Sequence, residues 1–279
     1  MVRSPDPAMS APSPIIGLQL WTLRAQLASD FERTLETVAG MGYRAVEFAG
    51  FHGHSALQIQ SVLRDTGLSA VSAHVPFDAL DRRWADTVEE AHRLGVQQLV
   101  VARIDTRRAL ERRYWEEVAQ RLNRAGEVCR AAGLSFAFHN HLAEFGRIPG
   151  TRQRPCDILL SMTDPALVSM QLDVGWCVAA GAAPGGFLRR YAGRISSVHL
   201  KDLTRLPQWD LPMPANQASE AFHVDVADVG AGLISWPTLV PLCRAAGALH
   251  AFVEHDMAAD PIESARRSIG YLKRQGFAV

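Results

Sequence analysis

Short runs dense in Val, Ile, Leu and aromatic residues alternate along the chain with longer stretches whose apolar positions recur at helical spacing. The short runs predict strands at 15–21 (IIGLQLW), 45–49 (AVEFA), 69–75 (SAVSAHV), 98–104 (QLVVARI), 135–141 (SFAFHNH), 169–175 (SMQLDVG), 195–201 (ISSVHLK) and 248–255 (ALHAFVEH). The longer ones predict helices, among them 30–42, 85–95, 114–133 and 260–276. A glycine suited to a helix C-terminus recurs before the next strand at Gly42, Gly67, Gly95, Gly133, Gly193 and Gly247. Repeated βα units predict a parallel sheet, and eight of them predict an α/β fold closed as a single (β/α)8 TIM barrel.

The length of 279 residues suits one such barrel, and no Pro/Ser-rich linker divides the chain after about residue 14. Residues 1–14 carry one Arg and no apolar run, so they read as a loose tail rather than a signal peptide, and 15–279 as the barrel domain. The longest irregular stretch, Leu203 to about Ser235, reads as a lid over the site. Lys+Arg and Asp+Glu both total 29, which argues against a nucleic-acid partner, and no apolar run is long enough to cross a bilayer. Cys129, Cys156, Cys177 and Cys243 form no C-x-x-C pair and read as small buried residues of a reduced, cytoplasmic protein, which could be a homo-oligomer.

A parallel strand covered on both faces should be nearly all apolar, so polar residues near its C-terminal end need a reason. The last four strands end in His139-Asn140-His141, Leu172-Asp173-Val174, Val198-His199-Leu200-Lys201 and Val253-Glu254-His255. Alternation puts His139 with His141, and His199 with Lys201, on one face, and turns Asp173 and Glu254 away from their apolar neighbours. In a (β/α)8 barrel the inward groups at these ends meet at one mouth. Two imidazoles and two carboxylates there suit one divalent metal, and mixed nitrogen and oxygen donors suit Mn²⁺, Co²⁺ or Zn²⁺ better than Ca²⁺. Each residue alone also has a duller reading, as a hydrogen-bonded core histidine, a turn cap or an ion-pair partner.

The phrases GLQLWTLR (17–24), AVEFAGF (45–51), SAHVPFD (72–78), FHNHLAEF (138–145), QLDVGW (171–176), VHLKD (198–202), GAGLISWPTL (230–239) and FVEHD (252–256), in this order, resemble the xylose isomerase-like TIM-barrel superfamily. The resemblance is to its sugar phosphate isomerase/epimerase branch, with ketose 3-epimerases and inosose dehydratase, and more distantly to endonuclease IV. It implies one catalytic divalent metal, Mn²⁺ foremost with Zn²⁺, Co²⁺ or Mg²⁺ as alternatives, held by Glu, Asp, His and Glu. Carried onto this chain, these ligands fall on His139, Asp173, His199 and Glu254, with His139 where relatives have Glu. In the epimerases the two glutamates exchange a proton from opposite faces of the substrate. With His139 in that place, Glu254 is left as the expected proton acceptor, with His139 as its catalytic counterpart only if its nitrogen is free of the metal.

Glu47, His74, His141, Trp176 and Lys201 are expected substrate contacts, Trp21 a further aromatic at the mouth, and Glu144 a group that orients a histidine. His52, His54, His92, His223, His250 and His255 read as structural or surface residues. The expected activity is metal-dependent isomerisation or epimerisation of a sugar or polyol-derived ketone, with elimination from a keto-sugar or inosose as the alternative. Phosphodiesterase chemistry is disfavoured by the neutral charge, and a non-catalytic sugar-binding barrel is the remaining rival.

Overall fold

Eight strands form where the apolar runs predict them: β1 (Ile15–Gln19), β2 (Ala45–Phe48), β3 (Ser69–Val75), β4 (Gln98–Val101), β5 (Ser135–His139), β6 (Ser169–Asp173), β7 (Ile195–Leu200) and, after two short strands, β10 (His250–Val253). All pair in parallel with their sequence neighbours, and β1 pairs with β10, so the (β/α)8 barrel closes. The computed structural model describes residues 13–51, 53–151, 153–207 and 224–278. Most of the expected tail, the middle of the expected lid, and His52 and His223 lie outside the described residues.

Several strands end earlier than their apolar pattern. Residues 169–175 leave the sheet at Asp173, whose side chain accepts the Trp176 N–H at 2.8 Å and starts the helix Val174–Ala179. The run 15–21 likewise stops at Gln19, whose side chain accepts the Trp21 N–H at 2.9 Å above a 3₁₀ turn, Leu20–Leu23. In both places a polar residue caps a helical turn while the apolar sequence continues past it.

The helices follow the expected phase. Asp30 caps Phe31–Met41 by accepting the Arg33 N–H at 3.0 Å, and Gly42 ends it at φ 100°. The 20-residue helix Arg112–Ala131 turns Tyr114, Trp115, Val118, Leu122 and Cys129 onto the barrel side as one stripe. Most of the apolar core lies between strands and helices. Inside the barrel, Phe252 packs on Ala45 and Val71 as a separate small cluster. Residue 17 must be glycine there, since a Cβ would stand 2.7 Å from the Phe252 ring.

After β7 the chain makes β8 (Asp202–Leu203), which pairs antiparallel with β9 (Val226–Ala227) on its return. Asp202 ties the return to the barrel. Its Oδ1 accepts the N–H groups of Leu203 (2.9 Å) and Ile234 (3.1 Å), and its Oδ2 those of Gly230 (3.0 Å), Gly232 (3.3 Å) and the Trp236 indole (2.8 Å). The expected lid is therefore anchored at its described ends. The four cysteines are free and buried, and no helix among the described residues is long and apolar enough to cross a membrane.

Candidate metal centre

The ends of β5, β6, β7 and β10 bring His139, Asp173, His199 and Glu254 to the mouth, each between 0% and 5% exposed. Register sets Asp173 beside His199 on adjacent strands. Asp173, His199 and Glu254 each offer a donor atom, all within 4.8 Å of one another. His139 borders this trio, its Nε2 standing 4.0 Å from Asp173 Oδ2. Lys201, just past β7, reaches the same carboxylates, with Nζ 3.1 Å from Asp173 Oδ2, 3.0 Å from Glu254 Oε2 and 2.7 Å from Asp256 Oδ2.

The charges in this buried cluster are unevenly compensated. Burial and the Glu254 charge push the Asp173 carboxyl up to about 6 in spite of Lys201. Burial also works against charge on Glu254, but Lys201 and His199 outweigh it and hold that carboxyl well below the usual range. Burial opposes a charged Lys201 too, and Asp173, Glu254 and Asp256 overcome it, so its pKa lies well above the ordinary value. His199 would be neutralised by burial, yet Glu254 and Glu47 raise it to about 10. His139 lies well below the usual range, first through burial and then through the neighbouring charges of His199 and Lys201, so it is a neutral imidazole.

Hydrogen-bond accounting below the mouth fixes which nitrogen of each imidazole faces it. Gln171 donates its amide to Glu47 Oε2 at 2.6 Å and to Ser197 Oγ at 3.1 Å, while Ser197 donates onward to Gln98 Oε1 at 2.8 Å. The Gln171 carbonyl oxygen is thereby turned to accept from His139 Nδ1 at 3.1 Å and from His74 Nε2 at 2.8 Å. His139 thus carries its proton on Nδ1 and presents a lone pair on Nε2, the nitrogen beside Asp173. His199 donates Nε2–H to Glu47 Oε1 at 2.6 Å, which leaves Nδ1 against Glu254 Oε2 at 2.8 Å. His74 directs Nε2–H at Gln171 and Glu47 (3.2 Å to Oε1), and its Nδ1 stands 3.4 Å from the Gln19 amide. Although His74, His139 and His199 are close enough to share an ion, the nitrogens of His74 are already engaged.

Glu47 therefore lies beneath the site rather than on its surface. It is fully buried, and Gln19, Ser72, Gln171 and His199 occupy its oxygens. Burial opposes its charge, but His74 and His199 hold it well below the usual carboxylate range. Parity along β2 predicts an inward Glu47 but not its depth. Gln19, Ser72, Gln98 and Gln171 were missed in the sequence, and the available signal was an uncharged polar residue on the same inward parity as a candidate ligand, as Gln171 is with Asp173.

The remaining candidates rim the mouth. The His141 ring meets His139 edge-on at 4.9 Å, its Nδ1 is buried without a hydrogen-bond partner, and burial with the Lys201 charge pushes it down to about 3. Trp176 is 5% exposed with an unpartnered indole N–H, and Lys201 Nζ lies 5.1 Å from its ring centre. Glu144 accepts the backbone N–H of His141 at 2.8 Å, so it orients that segment rather than an imidazole. Trp21 is 44% exposed beside Arg24.

The family model for the xylose isomerase-like TIM barrel matches residues 35–275. The chain belongs to the xylose isomerase-like TIM barrel family. It is 28% identical over 197 residues to the inosose dehydratase of Geobacillus kaustophilus, an alignment spanning 62% of each chain. Among solved structures, a sugar phosphate isomerase/epimerase from Parabacteroides distasonis superposes with a TM-score of 0.75 over 95% of both chains at 22% identity. The IolI protein, crystallised with a bound zinc atom, does so with a TM-score of 0.67 at 15% identity over 94% of this chain and 96% of its own. These two likenesses show the fold.

The donors present fit one divalent metal ion. Asp173 Oδ2 is fully buried, accepts no hydrogen bond and meets Lys201 only as an ion-pair contact, so its charge is under-compensated. Glu47 behind His199 is the outer carboxylate that commonly fixes a metal-binding imidazole.

Proposed function

We propose that this protein is a metal-dependent lyase of the dehydratase class, which removes a proton beside the carbonyl of an inosose or keto-sugar and expels the β-hydroxyl as water. The observation that carries this reading is the asymmetry of the mouth: a carboxylate, Glu254, stands just past β10, and an imidazole, His139, ends β5. A two-carboxylate exchange across the substrate has no second carboxylate on that strand. Elimination needs one such group, because the carboxylate that takes the proton from carbon can return it to the departing oxygen.

His139, Asp173, His199 and Glu254 would hold the cation. When bound, it supplies Lewis acidity toward the carbonyl oxygen. Lys201 keeps Glu254 ionised as base. In the step itself the C–H pair becomes the new C=C bond, the C–O bond breaks, and the proton passes through Glu254 to the leaving hydroxyl. His141 Nδ1 and the Trp176 indole N–H, both without partners, are free to hydrogen-bond substrate hydroxyls. The inosose dehydratase relatives support this class of substrate. Free buried cysteines support a reducing cytoplasm, with a small molecule as the partner.

The test is incubation of metal-loaded protein with a panel of inososes and keto-sugars, followed by NMR and by absorbance of the unsaturated ketone. An unsaturated product formed by the wild type and lost in Glu254→Gln is expected. Solvent deuterium entering an isomerised or epimerised ketose, without unsaturated product, would establish isomerase or epimerase chemistry instead. Binding without turnover across the panel would leave a sugar-binding barrel.

A further inference from the structure

We propose that His139 makes this centre a two-nitrogen, two-oxygen site that selects Zn²⁺ or Co²⁺ over Mn²⁺ and Mg²⁺. The inference rests on the metal reading above and specifies which ion the site takes. Two imidazole nitrogens face the carboxylates. Gln171 fixes the proton of His139 on Nδ1, so its Nε2 lone pair is directed toward Asp173, 4.0 Å away. Glu47 fixes the proton of His199 on Nε2, so a neutral His199 presents Nδ1 to Glu254, 2.8 Å away. Ligand atoms bonded at about 2.0–2.2 Å to one ion stand about 3–4 Å apart, so Asp173, His199 and Glu254, mutually within 4.8 Å, need little closure, while His139 has to turn in toward that trio.

The choice of ion follows from charge and softness. The donors number two carboxylates and two neutral imidazoles, one anionic oxygen fewer than a set with Glu in place of His139. Lys201, 3.1 Å from Asp173, further lowers the negative potential there. Mg²⁺ and Mn²⁺ are held chiefly by anionic oxygen and lose most from that exchange, whereas Zn²⁺ and Co²⁺ bind imidazole well. The same network removes the three-histidine alternative, since His74 has no lone pair left to turn toward the ion.

The test uses the stripped full-length protein and the metals alone. Zn²⁺ affinity is measured by competition with a chelating dye and Mn²⁺ affinity by EPR titration, for wild type, Asp173→Ala and His139→Glu. The expected results are about one ion per chain, loss of binding in Asp173→Ala, and a preference for Zn²⁺ over Mn²⁺ that shrinks at least about tenfold in His139→Glu. Pulsed EPR of the Cu²⁺-loaded wild type, which does not depend on any variant folding, should show two coordinated imidazoles. No ion bound, or binding that survives Asp173→Ala, would overturn the centre itself. Binding lost in Asp173→Ala with one imidazole in the wild-type EPR spectrum, or with an unchanged Zn²⁺ to Mn²⁺ ratio in folded His139→Glu, would overturn the selectivity alone.

Discussion

Asp202 offers the cleanest perturbation of the frame around the mouth, because Asp202→Asn changes no volume and only the donor and acceptor pattern. Oδ1 accepts two backbone N–H groups and Oδ2 accepts two more with the Trp236 indole. An asparagine keeps one acceptor, so its amide faces either the two buried N–H groups of Leu203 and Ile234 or the buried Trp236 indole with the part-buried N–H groups of Gly230 and Gly232. Each orphaned buried donor costs about 1–3 kcal/mol, so two of them cost roughly 2–6 kcal/mol. At about 2–4 °C per kcal/mol for a domain of this size class, the melting temperature should fall by about 4–24 °C. Thermal unfolding followed by circular dichroism reads this directly, with Asp225→Asn as control. Asp225 pairs with Arg205 on the exposed part of the same segment, and such a pair contributes at most about 1 kcal/mol. If Asp202→Asn melted within a degree or two of that control, the anchoring argument would be wrong.

Three further outcomes follow from the buried charges. Lys201→Met leaves Asp173, Glu254 and Asp256 without their shared cation, and urea unfolding of the metal-free protein should show a loss of about 3–5 kcal/mol; an unchanged midpoint would refute the pairing. Burial raises the Glu144 carboxyl from 4.5 to about 7, so its protonated form is favoured by folding and the stabilisation is lost as pH rises between those values. Glu144→Gln should therefore gain on the wild type by up to about 3 kcal/mol from pH 4.5 to pH 8 in denaturant titrations, and parallel pH curves would count against it. His199, raised to about 10 by Glu254 and Glu47 against burial, must release a proton before Nδ1 can bind an ion. Calorimetry of metal binding near pH 7.5 in buffers of different ionisation enthalpy should show about one proton released per ion; none released would mean that Nδ1 is not a ligand.

The barrel was legible in the sequence because two periodicities alternate, and because parity along β6, β7 and the end of β10 turns Asp173, His199, Lys201 and Glu254 inward together. Strand ends were less legible. At Gln19 and Asp173 the apolar pattern runs on while a polar side chain caps a new helical turn, and pattern alone does not register that competition. The depth of Glu47 was hidden for another reason: its partners come from β1, β3, β6 and β7, and such long-range contacts leave no local trace. Gln171 is the sharpest instance. It reads as an ordinary strand residue, yet its amide sets the tautomers of His74 and His139.

On the proposed reading, His139, Asp173, His199 and Glu254 grip one cation at the barrel mouth. Crystals of the protein grown with Zn²⁺ or Co²⁺ and measured across the metal's absorption edge test it most directly. A single strong anomalous peak is expected between Asp173 Oδ2, His199 Nδ1, Glu254 and His139 Nε2, with Glu47 still behind His199. An anomalous map empty at that point, with Lys201 Nζ remaining the cation shared by the carboxylates, would contradict it.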